Sequence, residues 1–250
     1  MTYILGAKCA NGVILVADRK IILDGGALHE YEDKLFWAQP WMVVASSGTL
    51  GLFEKFRDKL TDYVHSTKYD AKVYNLTTEI ENITRQLNDD YFEVLRGRQF
   101  DVLLGIQATT EAVIKYIHPS GFAEGVRRYK VIGHGEPYGS FFMKYWWNRN
   151  MNMLEVAELG FFIIKCIQEF ELDNTVGIGQ GYPQIMIIPS EMDKEKGSAD
   201  GKKKHTIRNL SSSELNNLAV KVEERLEKFK QQNLSWEIEH FLKEAEGGKE

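Results

Sequence analysis

Thr2-Tyr3-Ile4-Leu5-Gly6-Ala7-Lys8-Cys9-Ala10-Asn11-Gly12-Val13-Ile14-Leu15-Val16-Ala17-Asp18-Arg19, directly behind Met1, is the stretch on which the reading of this chain turns. Two mostly apolar runs flank Ala10-Asn11-Gly12, and an Asn-Gly pair between such runs reads as a hairpin turn because both residues tolerate positive φ. Val13 to Val16 are apolar without alternation, as in a strand covered on both faces. Removal of Met1 would leave Thr2 as the first residue, and a small second residue is compatible with that removal. A terminal threonine carries its own base: its α-amine, with an unperturbed pKa of about 8, can take the hydroxyl proton near neutral pH. A retained Met1 would turn the amine into an amide and leave no base.

Phe36 to Gln39 and Met42 to Ala45 read as a second hairpin with Pro40 at its turn, after the glycine pair Gly25-Gly26. From Thr49 the period changes, and Leu50, Phe53, Phe56 and Leu60 recur at helical spacing. Leu76 to Leu95 repeats it through Ile80, Ile83, Leu87 and Phe92, ending at Gly97. Phe100 to Ala108, Ala112 to His118, Gly121 to Ala123 and Tyr129 to Ile132 return to strand character. Helices follow at about 137–148 and 153–172, then the run Gln184-Ile185-Met186-Ile187-Ile188 between Pro183 and Pro189. Sheet bracketed by helices is economically packed in layers.

Residues 190–206 carry almost nothing apolar and read as a charged mobile linker. Ser211 with Glu214 then forms a capping box, and Leu215, Leu218, Val222, Leu226 and Phe229 lie at helical spacing behind it. Trp236, Ile238, Phe241 and Leu242 either extend that helix or form a second one. The stripe must be buried, on the chain's own body or on a neighbour. No internal repeat is visible.

With 250 residues and 43% hydrophobic content, the chain suits one large domain plus an appendage. A formal charge of −5 provides no global field for nucleic acid, and the mixed signs of the charges argue against a dedicated membrane-surface protein. Two cysteines, Cys9 and Cys166, are too few for a disulfide framework and read as buried structural thiols. There is no basic region ahead of a long apolar segment and no run of about 20 apolar residues. The expectation is a cytoplasmic protein with no long propeptide. Gly177-Ile178-Gly179-Gln180-Gly181 lacks the Lys-Ser/Thr ending of a phosphate loop, His29-Glu30 lacks zinc-ligand spacing, and Lys202-Lys203-Lys204-His205 reads as a solvated loop, so no cofactor or metal is expected. Tyr145-Trp146-Trp147 serves core or subunit packing.

In register with Thr2, Asp18 and Lys34 stand at the separations seen in β-type subunits of the proteasome family, which the chain resembles. Val43-Val44-Ala45-Ser46-Ser47-Gly48 resembles that family's strand entering its first helix, Gly133-His134-Gly135 its Gly-Ser-Gly loop, and Asp173-Asn174-Thr175-Val176-Gly177 its Asp-x-x-Ser-Gly loop. These landmarks span residues 2 to about 188. The resemblance implies an α+β fold, the four-layer αββα sandwich of N-terminal nucleophile hydrolases, over residues 1–189. The linker at 190–210 and a C-terminal helical extension at 211–250 lie beyond it.

It also implies a threonine-type endopeptidase. Thr2 would attack the peptide bond, Lys34 would favour the charged oxygen, and Asp18 would hold the ammonium in place. Gly48 would donate its N–H to the oxyanion at a helix N-terminus, and Asp173 would orient the terminal amine. Taken singly, Asp18 is a turn cap, Lys34 a solvated lysine and Asp173 an Asp-Asn turn. Two positions depart from the pattern: His134 and Val176 replace the family's serines, with Thr175 a neighbouring hydroxyl. His134 either holds the amine in the serine's place or is a structural loop residue. By the same resemblance Ile21, Ile22, Glu32, Ser46 and Glu54 line the cleft beside the scissile bond, where two carboxylates would select a basic side chain.

The partners implied are a peptide or protein substrate and further copies of the chain in a ring or related homo-oligomer. An unfoldase partner is open. No nucleic acid or membrane is expected. Two alternatives keep the fold: a protein ligase that passes the threonine acyl-enzyme to an amine, and a catalytically silent assembly protein that docks through its C-terminal helix.

Overall fold

In a computed structural model, which describes residues 2–23, 28–67, 73–95, 100–108, 111–179, 181–191, 193–194, 203–204 and 206–231, the opening runs form β1 (Ile4–Cys9) and β2 (Gly12–Ala17) with Ala10 and Asn11 at the turn. They pair antiparallel from Ile4 opposite Ala17 to Cys9 opposite Gly12. The helices are α1 (Leu50–Ser66), α2 (Val73–Asp90), α3 (Phe92–Leu95), α4 (Glu136–Trp146), α5 (Met153–Glu169) and α6 (Ser212–Gln231). One sheet continues from β1 and β2 with β10 (Tyr129–Ile132), β11 (Gln184–Pro189) and β14 (Arg208–Asn209), in the order β10-β1-β2-β11-β14. The other is a meander of β5 (Leu35–Gln39), β6 (Met42–Ser47), β7 (Asp101–Gln107), β8 (Ala112–Ile117) and β9 (Ala123–Gly125). β3 (Lys20–Leu23) pairs with β4 (Leu28–Tyr31), and β12 (Asp193–Lys194) with β13 (Lys203–Lys204).

Because side chains alternate along a strand, each apolar run divides between two cores. Val13, Leu15 and Ala17 of β2 meet Val43, Ala45 and Leu103 of the other sheet, while Ile14 and Val16 pack with Phe142 of α4 and Phe162 of α5. On the far face of the second sheet, Met42, Val44, Val102 and Leu104 pack with Phe56 and Leu60 of α1 and Ile80 and Leu87 of α2. The result is helices, sheet, sheet, helices. At Gly105 the sheets approach so closely that a Cβ would lie 2.2 Å from Ile188 Cδ1.

Local chemistry sets the helix ends. Thr49 takes an extended conformation at the N-cap of α1, and its carbonyl accepts the Leu52 and Phe53 N–H groups. Asn152 and Glu155 form a reciprocal capping box on α5. The single helix expected over 76–95 is instead α2 and α3, broken at Tyr91. Asp89 and Asp90 oppose the helix dipole there, and Asn88 brackets the Phe100 N–H and C=O at 2.9 Å each, turning the chain into β7. Strand β9 begins at Ala123, because Gly121 lies at φ +75° in a turn closed on the His118 carbonyl.

The stripe on α6 is buried on the chain's own body. Leu218, Val222, Leu226 and Phe229 join the core shared with α4 and α5, and the Phe229 ring lies 5.6 Å from Trp146 and 5.7 Å from Phe162. With the sheet on one side and α6 on the other, Phe161 to Ile164 of α5 are all buried, as expected for a helix apolar all round. The Ser211–Glu214 capping box is present, Glu214 also bonding Arg208. Gly25, Gly26, Gly97, Trp236, Ile238, Phe241 and Leu242 lie outside the described residues. Among those described, no helix is long and apolar enough to cross a membrane.

Candidate active site

Thr2 is 4% exposed and sits just before β1, where its carbonyl accepts the Gly135 N–H at 3.2 Å. The hairpin register carries Asp18 back beside it. Asp18 Oδ1 accepts the Tyr3 N–H at 2.8 Å, and the Asp18 N–H donates to the Tyr3 carbonyl at 3.0 Å, so the residue after Thr2 is clamped from both sides. Asp18 is fully buried. Its Oδ2 faces the Gly177 N–H at 3.3 Å, while the Gly177 carbonyl accepts the N–H groups of Arg19 and Lys20 at 3.0 Å each. The loop at 173–177 is thereby knitted to the end of β2.

Lys34 lies immediately before the edge strand β5 of the second sheet and is 6% exposed. Its Nζ donates to Asp18 Oδ1 at 2.6 Å and to the Lys20 carbonyl at 2.8 Å. Burial pushes the Lys34 ammonium below its usual range, opposed by the carboxylate. Burial likewise pushes the Asp18 carboxyl up, opposed first by the Lys34 charge and then by its hydrogen bonds. The two side chains are held as one hydrogen-bonded pair out of water.

A third approach comes from the loop after β10. Gly133 has φ +93°, and a Cβ there would sit 2.1 Å from the Thr2 carbonyl oxygen and 3.0 Å from Ser47 Oγ, so only glycine lets this loop close over Thr2. Ser47 ends β6, and Gly48 follows it immediately before the N-cap of α1. Thr2, Asp18, Lys34, Gly133 and the Ser47-Gly48 turn therefore gather at one end of the sandwich.

The remaining expected residues are arranged differently. Asp173 is half-buried and its Oδ1 accepts the Thr175 N–H at 2.8 Å, closing an Asx turn. His134 is exposed and, with Lys20, Gln168, Glu171, Asp173, Thr175 and Val176, lines a cleft of about 760 Å³. Val176 is buried and Thr175 Oγ1 is buried with no hydrogen-bond partner among the described residues. Ser46 Oγ is in the same state. Ile21 is half-buried on β3, Ile22 pairs through its backbone with His29, Glu32 is exposed with its N–H on the Arg19 carbonyl, and Glu54 is exposed on α1. Among the described residues no group of His, Cys, Asp or Glu side chains could hold a metal ion.

One residue at the site has no counterpart in the sequence reading. Gln184 Oε1 accepts the N–H groups of Lys34 and Leu35 at 2.8 and 2.7 Å, and its Nε2 donates to the Leu35 carbonyl at 2.7 Å. Its only mark in the sequence is that a polar residue opens an apolar run.

Two facing antiparallel sheets between helix layers give the α+β arrangement of the N-terminal nucleophile hydrolase fold. The sequence model of the proteasome subunit family matches residues 2–179, and the chain belongs to that family. No curated protein matches it in sequence. Among solved structures it is similar to Anbu, an ancestral beta-subunit, from Yersinia bercovieri: 15% identity, TM-score 0.69, covering 92% of this chain and 95% of that one. It is likewise similar to a mutant of Anbu from Hyphomicrobium sp. strain MC1, with 16% identity, TM-score 0.66 and coverage of 92% and 97%. At such identities the likeness is one of fold.

Proposed function

We propose that the protein is a threonine-type peptidase whose nucleophile is Thr2 after removal of Met1. The observation that carries this reading is the buried contact between Lys34 Nζ and Asp18 Oδ1, with Asp18 bonded in turn to the residue following Thr2. Burying two charges costs desolvation that a scaffold has no need to meet, whereas an ammonium brought beside the Thr2 hydroxyl would favour its ionised form. In the reaction the Thr2 amine takes the hydroxyl proton, the oxygen adds to the substrate carbonyl, and the Gly48 N–H stabilises the oxyanion. Collapse breaks the C–N bond, the leaving amine takes the proton from the Thr2 ammonium, and water hydrolyses the ester.

Intact mass measurement with a peptide epoxyketone tests this. Loss of Met1 and one adduct, absent from Thr2→Ala, is expected. Met1 retained, or lost with no adduct from several such probes, would sink it. The carboxylates of Glu32 and Glu54 are proposed to favour a basic side chain next to the scissile bond; equal turnover of paired basic and apolar peptides would remove that preference. Added amine peptide separates hydrolysis from ligation, since only a ligase yields joined product. Assembly with further copies of the chain, to be read by light scattering, and a cytoplasmic setting belong to the same proposal.

A second reading, a silent assembly protein, is favoured by the loop at 173–177. There the Asp173 carboxylate is used within its own turn, and Val176, where the family has serine, is buried 3.1 Å from the position of a Gly135 Cβ. The epoxyketone experiment separates the two.

A further inference from the structure

Gln184 stands opposite Ala17 in the pairing of β11 with β2, one residue short of Asp18. From that position its carboxamide crosses to the other sheet. There β5 is an edge strand, so among the described residues no neighbouring strand pairs with the outward N–H and C=O of Leu35. The Gln184 amide supplies the missing acceptor and donor, taking the Lys34 N–H as well. A primary amide offers the same donor and acceptor pair as a peptide group, so it serves as a one-residue length of strand.

The consequence lies in what is joined. Between Lys20 and Lys34 the chain runs out along β3 and back along β4, where the Glu32 N–H already bonds the Arg19 carbonyl at 2.9 Å. Lys34 Nζ must come back onto Asp18 and the Lys20 carbonyl, at the departure point of that excursion. A lysine side chain has four rotatable bonds and a strongly hydrated head, so its placement depends on where its backbone is held. We infer that Gln184 is a positioning residue: by bonding the backbone of Lys34 and Leu35 to the strand beside Asp18, it sets the reach of Lys34 Nζ to the buried carboxylate. Its effect on rate rests on the peptidase reading, but its effect on Lys34 does not.

The experiment uses the full chain with Gln184→Met, which keeps length and loses all three hydrogen bonds. Gln184→Asn keeps the amide but withdraws it by one methylene. Two signals are read on each folded protein: titration of Lys34 by lysine side-chain NMR, assigned through Lys34→Met, and the rate of Thr2 adduct formation with a peptide epoxyketone. Both variants are expected to move the Lys34 titration away from that of the parent protein and to slow labelling by about tenfold or more, because small misplacements at a reacting group carry large rate penalties. Parent-like titration in either folded variant overturns the inference, whatever happens to thermal stability. If the parent protein takes no adduct, the peptidase reading fails, and the Lys34 titration alone still decides whether Gln184 positions it.

Discussion

Lys34 Nζ and Asp18 Oδ1 lie 2.6 Å apart with both side chains almost wholly out of water, across the boundary between the two sheets. Removing one partner leaves the other charged and uncompensated. Lys34→Met is therefore expected to cost about 3–5 kcal/mol in urea unfolding, and Asp18→Asn added to it to recover part of that loss. Both variants should fail to form the epoxyketone adduct. If the double variant is as unstable as the sum of the singles, the two charges are not coupled.

Gly133→Ala places a methyl group 2.1 Å from the Thr2 carbonyl oxygen at a backbone angle that alanine adopts poorly. A loss of about 1–3 kcal/mol is expected, and Thr2 labelling should fall at least about a hundredfold in protein that still folds. Gly125→Ala is the control, since a Cβ there meets nothing within 4 Å among the described residues. Equal labelling of the two variants would show that the Gly133 loop does not set Thr2.

Phe229 is 7% exposed among the aromatic rings that join α6 to α4 and α5. Phe229→Ala should lower stability by about 3–5 kcal/mol by urea titration, through lost burial and the cavity left behind. Tyr145→Ser, at a ring 62% exposed, should change it by no more than about 0.5 kcal/mol. A small effect at Phe229 would mean that α6 contributes little to the sandwich.

Glu214 is held down to about 2 from an ordinary 4.5, first by Arg208 and then by the Ser211 backbone N–H. A carboxylate with a depressed folded value contributes stability above its unfolded value and loses it as the pH falls through the folded one. Amide exchange in the first turn of α6 should therefore speed up between about pH 4.5 and 2, measured against the rest of α6. In Glu214→Gln that exchange should be faster already at neutral pH and lack the acid-dependent step. An identical acid profile in the variant would sink the assignment.

Gly12 to Ala17, the Ala10-Asn11 turn and the stripe from Leu218 to Phe229 were legible because period and turn chemistry are local properties. The end of α2 was not, because Asn88 reaches Phe100 across twelve residues, and that contact is absent from any helical window. At the site, Thr2, Asp18 and Lys34 were recognisable only through their separations. Ser46 and Glu54 could be named the same way, yet one proved buried and the other exposed.

The content of the layers is local: alternation and helical spacing are written residue by residue, so strands, helices and their apolar faces follow from short-range sterics and burial. Which charges share one dry space is set by the closing of the layers. Asp18 and Lys34 are brought together by two sheets meeting face to face, and Gln184, 150 residues from Lys34, bonds its backbone to the strand beside Asp18. A contact between distant residues has no local signature, because its free energy comes from burial and hydrogen bonds that exist only once the layers have closed.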